Sequence, residues 1–477
     1  MTSKSPSISA APSPPETSLS YMLRLAGPMV ISTISFTIMQ FVDRFMVSRL
    51  GTNALAAVLP AGYVAFLTGG LAMGAITSLN TFVSQSLGRG ARSECSSYFW
   101  QTVYLGLTYS ALVIALLWPA APWIFSLMGQ PADVVDMEVV YFRIMLCAQT
   151  VAVINWSSNQ FFMGIHTPIV TMCSSLCGQC VNVIANYALI FGKFGCPALG
   201  IAGAGWGTFT GITVAATINL AILSSGRVNL QYASRRTLGI DLSKMRSLLQ
   251  IGLPAGFGLM VNVALWGAVL FVLVGRFGKE ALAASSAVLA YTNLSVMPIV
   301  GISTALTAAV GKAIGAGRKE LAVQQTRVCL RIGLIYMGLV GVAFFVLRDT
   351  LMVFWSQDPH VTAVGSKILV CAALYQVFHA TRIIYGGALR GAGDTLWLAL
   401  ISGVGAIGVL ALGGVIIVYC FPNLGPLGPW YLAAFSIVVV GLANRWRFKN
   451  GRWMQIDLFK DTPAATAVSM EQGLDSA

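Results

Sequence analysis

Eighteen consecutive residues, 25–42, carry no charge, and the next is a carboxylate, Asp43. At about 1.5 Å per residue, such a run covers most of a bilayer core of roughly 30 Å. Residues 19–51 therefore predict a membrane-spanning helix with an acid in its outer third. An ionisable group at that depth is costly unless it faces protein or a water-filled cavity, which marks Asp43 as a functional candidate. The competing reading is an interfacial Asp paired with an Arg. The adjacent Arg44 is a poor partner, because neighbouring residues on a helix point about 100° apart. No other predicted span contains an acid.

Runs of this kind recur along the chain. With 56% hydrophobic and 9% charged residues and a mean hydropathy of +0.77, the composition excludes a soluble domain and predicts a polytopic membrane protein. A net charge of +13 could suit nucleic acid. The basic residues instead collect in alternate connections, as the positive-inside rule requires, so membrane lipid is expected and nucleic acid is not. Nine cysteines, an odd number scattered mostly through predicted spans, imply no disulfide framework. Cys173, Cys177 and Cys180 have a spacing that suggests metal ligation, but they follow the apolar run and lack a fourth ligand, so no metal is expected. The Pro/Ser-rich residues 1–18 read as a disordered tail rather than a signal peptide.

The second half repeats the first at an offset of 227 residues. Gly51 falls on Gly278 within matching Ala-Leu-Ala-Ala segments, Gly88 and Gly90 on Gly315 and Gly317, Gln149 on Gln376, and Gly164 on Gly391. The predicted fold is all-α, with twelve transmembrane helices in two six-helix bundles related by a parallel repeat. The N-lobe is 19–225, a basic linker 226–246, the C-lobe 247–447, and a tail 448–477. The third span is expected over about 95–117, with the Pro/Trp-rich stretch after it as an interfacial connection. The fourth is expected to begin at about 139. With the N-terminus inside, twenty basic residues lie on the cytoplasmic side and seven outside. Both termini are thus expected in the cytoplasm, in a bacterial inner membrane. Arg143 and Arg382 fall within spans and outside that tally.

Three polar faces mark the spans. Tyr375, His379 and Arg382 share one face of the tenth, where a titratable imidazole beside a guanidinium suggests a wet cavity, against a reading of interhelical bonding with a snorkelling Arg. Gln179, Asn182 and Asn186 line one face of the fifth span, and Thr33, Thr37 and Gln40 lead to Asp43 in the first. Such neutral stripes more often join helices than bind substrate. Asn262 and Trp266 lie one turn apart in the seventh.

Taken together, these residues resemble the MATE (multidrug and toxic compound extrusion) family over nearly all of 19–446. The resemblance rests on the LAGP…FVDRFMVSRLG…ALAA opening, the SQSLGRG and GKAIGAG turns, the FFMGIHTP and GALRGAGDT turns, and NVIANYALIFG. It implies a V-shaped pair of bundles around a central cavity, exporting organic cations or other amphiphiles against sodium or protons. Asp43 matches the family's first-helix acid. The NorM-type branch, which the Asn182/Asn186 pair resembles, carries second-lobe acids at the positions of Asn262 and His379. Both are absent here, which puts that branch's second-lobe sodium site in doubt. The branch carrying an Asp at the position of Asn186 is likewise not matched.

The expected function is a secondary active exporter of small amphiphiles, cationic in the main, working as a monomer by proton antiport with Asp43 and His379 as the ion-coupling groups. Thr37, Gln40, Gln179, Asn182, Asn186, Asn262, Trp266, Tyr375 and Arg382 are the expected cavity residues. The alternative is a flippase for a lipid-linked or large anionic headgroup, suggested by Arg143 and Arg382. An intramembrane enzyme is not expected, since three histidines and one intramembrane acid make no nucleophile or metal set. No cofactor is expected beyond an ion gradient.

Overall fold

A computed structural model describes residues 16–128 and 131–460, and every regular element among them is helical. The N-lobe comprises α1 (Leu19–Ser48), α2 (Thr52–Gly88), α3 (Arg92–Ser126), α4 (Ala132–Gly164), α5 (Pro168–Phe191) and α6 (Ile201–Leu223). A short α7 (Gly226–Tyr232) leads to the C-lobe: α8 (Leu242–Ala268), α9 (Lys279–Gly315), α10 (Lys319–Val346), the short α11 (Arg348–Trp355), α12 (Pro359–Gly391), α13 (Thr395–Gly403), α14 (Gly413–Cys420) and α15 (Leu427–Lys449). Twelve stretches are long and apolar enough to cross a membrane, with α13, a π-helical turn and α14 forming one of them. The lobes meet mainly where α1 and α2 pack on α8 and α9.

Corresponding elements keep the sequence offset. Helices α2 and α9 are each 37 residues long and begin at 52 and 279; α3 and α10 begin at 92 and 319; α4 and α12 end at 164 and 391. The turn before α2 needs φ +110° at Gly51, and its counterpart needs +103° at Gly278. Side chains are strained at such angles, so glycine stands at both places.

Three boundaries differ from the sequence reading. Helix α3 runs through Pro119 and Pro122 to Ser126 instead of ending near 117. Pro122 has no N–H for the carbonyl four residues back, that of Trp118, and the helix survives because Arg143 of α4 donates to that oxygen through Nε and Nη2, both at 3.2 Å. The linker ends at 241, five residues early, because Asp241 caps α8 by accepting from the Ser243 and Lys244 amides. Helix α4 begins at Ala132, which brings Glu138 into a crossing, fully buried and with both carboxyl oxygens unpartnered. Asp43 is therefore not the lone acid within the crossings.

The expected tails are shorter than their predicted bounds. Residues 1–15 and 461–477 lie outside the described residues, but 16–18 and 450–460 are packed. Glu16 pairs with Lys312 at 2.9 Å and Arg318 at 2.7 Å. After α15, Trp453 stacks on Phe448 in the C-lobe core. Six residues later Phe459 sits in the N-lobe core, edge-on to Phe82 and Tyr98 with the Arg89 guanidinium over its ring.

Candidate functional site between the two lobes

Asp43 is half-buried on α1, and its Oδ1 accepts a 2.7 Å hydrogen bond from Asn186 Nδ2 of α5. The same Nδ2 reaches Asn182 Oδ1 at 3.3 Å, and Asn182 Nδ2 donates to Thr208 Oγ1 of α6 at 3.4 Å. One turn nearer the termini, Ser35 donates to Gln179 Oε1. The helical spacing of 179, 182 and 186 thus turns three amides of α5 toward α1 and α6. Thr37 instead gives its hydroxyl to its own helix, at the Thr33 carbonyl, and Gln40 is exposed.

Sequence reasoning misses what holds these amides in place. A Cβ on Gly207 would come 1.9 Å from Asn186 Oδ1, and one on Gly211 2.6 Å from Asn182 Cβ. Glycines four residues apart on α6 therefore make the slot into which the two asparagines fit. The signal is present in IAGAGWGTFTG, since small residues at helical spacing mark close contact between membrane helices. Tyr141 of α4, another residue the sequence does not single out, lies within electrostatic reach of Asp43 and Arg44.

In the C-lobe, Tyr375, His379 and Arg382 do share a face of α12. The Tyr375 and His379 rings meet edge to face with centroids 6.0 Å apart, and Arg382 Nη2 contacts His379 Nε2 at 2.9 Å. Tyr375 lies near Thr292 of α9, whose hydroxyl donates to its own helix at the Leu289 carbonyl. Asn262 is half-buried on α8. The Trp266 side chain lies outside the described residues. No hydrogen bond joins this group to Asp43 among the described residues, so each lobe holds its own polar set.

The end of the molecule that carries both termini is closed. Thr81 and Gln85 of α2 donate to the Arg390 and Gly391 carbonyls at the end of α12, at 2.8 and 2.9 Å. Gly74 and Gly256 touch across α2 and α8, and Gly88 sits on the Lys312 carbonyl. Tyr21 Oη, His166 and the Ala308 carbonyl form a bonded line from α1 through the α4–α5 turn to α9, at 3.1 and 3.2 Å. The carbonyl can only accept, so Nε2 carries a hydrogen, and in the neutral ring Nδ1 accepts from Tyr21. Burial, then the nearby Lys312 ammonium, pushes His166 down to about 4. Burial raises Glu16, but Lys312 and Arg318 outweigh it and hold the carboxyl below its usual value. The SQSLGRG, GKAIGAG, GIHTP and GALRGAG turns thus converge on one seam. Toward the far end, Thr33 to the Met297 carbonyl at 3.1 Å and Tyr63 to the Val263 carbonyl at 2.9 Å are the last hydrogen bonds between the lobes among the described residues.

Among the described residues no group of three His, Cys, Asp or Glu side chains could hold a metal ion. The chemistry on offer is instead that of one half-buried carboxylate with a neutral donor, held inside the N-lobe of two bodies that are bonded most densely at one end.

Comparison with known proteins places this geometry. The MatE family model matches residues 28–188 and again 254–416. A relative from Chromobacterium violaceum, the probable multidrug resistance protein NorM, is 30% identical over 433 residues, which cover 88% of this chain and 90% of the relative. The multidrug resistance protein MdtK of Yersinia pestis is 29% identical over 444 residues, covering 90% and 95%. A solved outward-facing MATE transporter of the MOP superfamily superposes with a TM-score of 0.84 at 18% identity, covering 92% of this chain and 97% of that one.

Proposed function

The chain belongs to the MatE family, and from that premise we propose that it is a multidrug exporter driving small amphiphiles out of the cell by proton antiport, with Asp43 as the coupling group. The relatives named multidrug resistance proteins support the substrate class. Alternating access would exchange the seam at the termini end for a seam at the far end. The closed termini end and the fit to an outward-facing structure support assigning the present state to the outward-facing limb.

The observation that carries proton over sodium is the orientation of the two amides. A sodium ion needs several hard oxygens around one carboxylate. Here Asn186 turns its Nδ2 to Asp43 and its Oδ1 to Gly207, while Asn182 Oδ1 is engaged by Asn186. Neither amide oxygen is directed at Asp43. A proton needs one carboxylate oxygen alone, and a cationic substrate competing for that oxygen is coupled to it. His379 is a weaker coupling candidate than Asp43, because Arg382 occupies the Nε2 lone pair that would take a proton.

The flippase alternative loses half its motivation, since Arg143 is bound to the Trp118 carbonyl. The test is dye efflux from energised vesicles under a pH gradient without sodium, and under a sodium gradient at uniform pH. Efflux is expected in the first condition. Efflux in the second alone rejects proton coupling. Both termini are proposed to be cytoplasmic, so a reporter active only outside and fused after residue 460 should be silent.

A further inference from the structure

We infer that Arg382 and His379 form an anion-binding site inside the C-lobe, suited to chloride or to the carboxylate of an amphiphile. A guanidinium has donors and no acceptor, and it stays charged at any physiological pH. Its Nη2 contact with His379 Nε2 at 2.9 Å makes that nitrogen the acceptor and leaves the imidazole hydrogen on Nδ1. His379 Nδ1 is buried with no partner, and so is Arg382 Nε. Two buried N–H donors and a full positive charge thus share one turn of α12 without an acceptor between them.

Nothing in the surroundings accepts from them. Among the described residues no carboxylate pairs with Arg382. Gly441 of α15 lies against the Arg382 backbone and has no side chain to offer. Asn444, one turn on, gives its Nδ2 to the Arg382 carbonyl at 3.4 Å, and its Oδ1 makes no bond. Tyr375, one turn back from His379 on α12, has Thr292 near its hydroxyl and carries no charge to offset that of Arg382. Tyr375 also lines a cavity of about 320 Å³ between α12 and α15 whose one charged lining residue is Lys367. Buried polar groups are almost always satisfied, and a buried cation is retained where something neutralises it. The charge beside these unpartnered donors is positive, so the ligand they call for is an anion and not a metal cation or a cationic drug.

This inference does not depend on proton coupling, and its test reads binding rather than transport. Purified full-length protein in detergent is titrated with sodium chloride, and separately with sodium benzoate, replacing sodium methanesulfonate at constant ionic strength, and thermal unfolding is followed. A saturable rise in Tm is expected. Stronger binding of chloride assigns the site to an inorganic ion; stronger binding of benzoate assigns it to a substrate carboxylate. Arg382→Gln should abolish the rise, and His379→Ala, which keeps the charge and removes one donor, should weaken binding about tenfold or more. If Arg382→Gln does not fold, the His379→Ala shift decides. No anion-dependent rise in the parent protein, or an equal rise in the variants, overturns the site.

Discussion

Asn186 Nδ2 stands 2.7 Å from Asp43 Oδ1, bridging residues 143 apart in the chain and tying α5 to α1 at the carboxylate of the N-lobe polar set. A hydrogen bond to a charged acceptor contributes about 1.5–3 kcal/mol. Asp43→Asn should abolish gradient-driven efflux while leaving substrate binding, and Asn186→Ala should lower efflux about tenfold or more. Substrate binding, which Asp43→Asn leaves intact, should also survive in the double variant if the pair acts as a unit. Loss of binding in the double variant would show that Asn186 works elsewhere.

The slot on α6 makes a sharper steric prediction. Gly207→Ala puts a methyl 1.9 Å from Asn186 Oδ1, where it must displace the amide, at a cost of about 1–3 kcal/mol. Gly62→Ala, on α2, meets nothing within 4 Å and should stabilise the helix by about 0.5–1 kcal/mol. Thermal unfolding in detergent should therefore move in opposite directions for two identical substitutions, with efflux lost in the first and kept in the second.

Acidification should loosen the termini end. Buried between Tyr21, Lys312 and the Ala308 carbonyl, with Glu16 and Arg318 beyond, His166 takes a proton in the closed state near pH 4, whereas an exposed imidazole does so near 6.5. The open state thus binds more protons between those values, and the closed state loses about 1.4 kcal/mol per pH unit as pH falls from 6.5 toward 4. Above 6.5 there should be no slope from this group. Glu16, held below its usual 4.5, contributes stability that is lost only beneath that value, so it adds no slope between 4.5 and 6.5, and measuring in Asp43→Asn keeps the proposed coupling carboxylate out of the profile. Reagent access to a cysteine placed at Ser84 should rise about tenfold per unit there, and His166→Asn should flatten the profile.

Asp394 and Arg447 form a buried pair, with Arg447 Nε 2.7 Å and Nη2 3.3 Å from the two carboxyl oxygens and the guanidinium over the Trp397 ring. Removing one partner of such a pair costs about 3–5 kcal/mol. Asp394→Asn should lower Tm clearly. Arg447→Lys, which keeps the charge and loses the two-pronged contact, should fall between parent and Asp394→Asn.

The crossings are legible because hydropathy and the offset of 227 residues depend on nothing but order along the chain. So are the shared faces of 375, 379 and 382, and of 179, 182 and 186, since helical spacing fixes them. Periodicity says which residues look the same way and is silent about what they see. Hence the sequence could not report that Gly207 faces Asn186, or that Arg382 meets His379 with no acid nearby. Arg143 reads as support for an anionic headgroup because the carbonyl it satisfies is freed by a proline on another helix. His166, a mere turn residue by its place in the chain, bonds both lobes. The limits of 95–117 for the third span fail for a related reason: Pro119 and Pro122 read as a stop, and the compensation comes from α4.

The segment from Trp453 to Phe459 is anchored in one lobe at its start and in the other at its end. Six residues cannot reach beyond about 20–22 Å even when drawn straight. Whatever rocking the two bundles perform, their termini ends can part by no more than that leash allows, unless one aromatic anchor first leaves its core. Under the proposed alternating access the stroke is set by chain length as well as by the shape of the helices, and lengthening the segment with glycine and serine should widen the proposed inward opening without touching Asp43 or its partners.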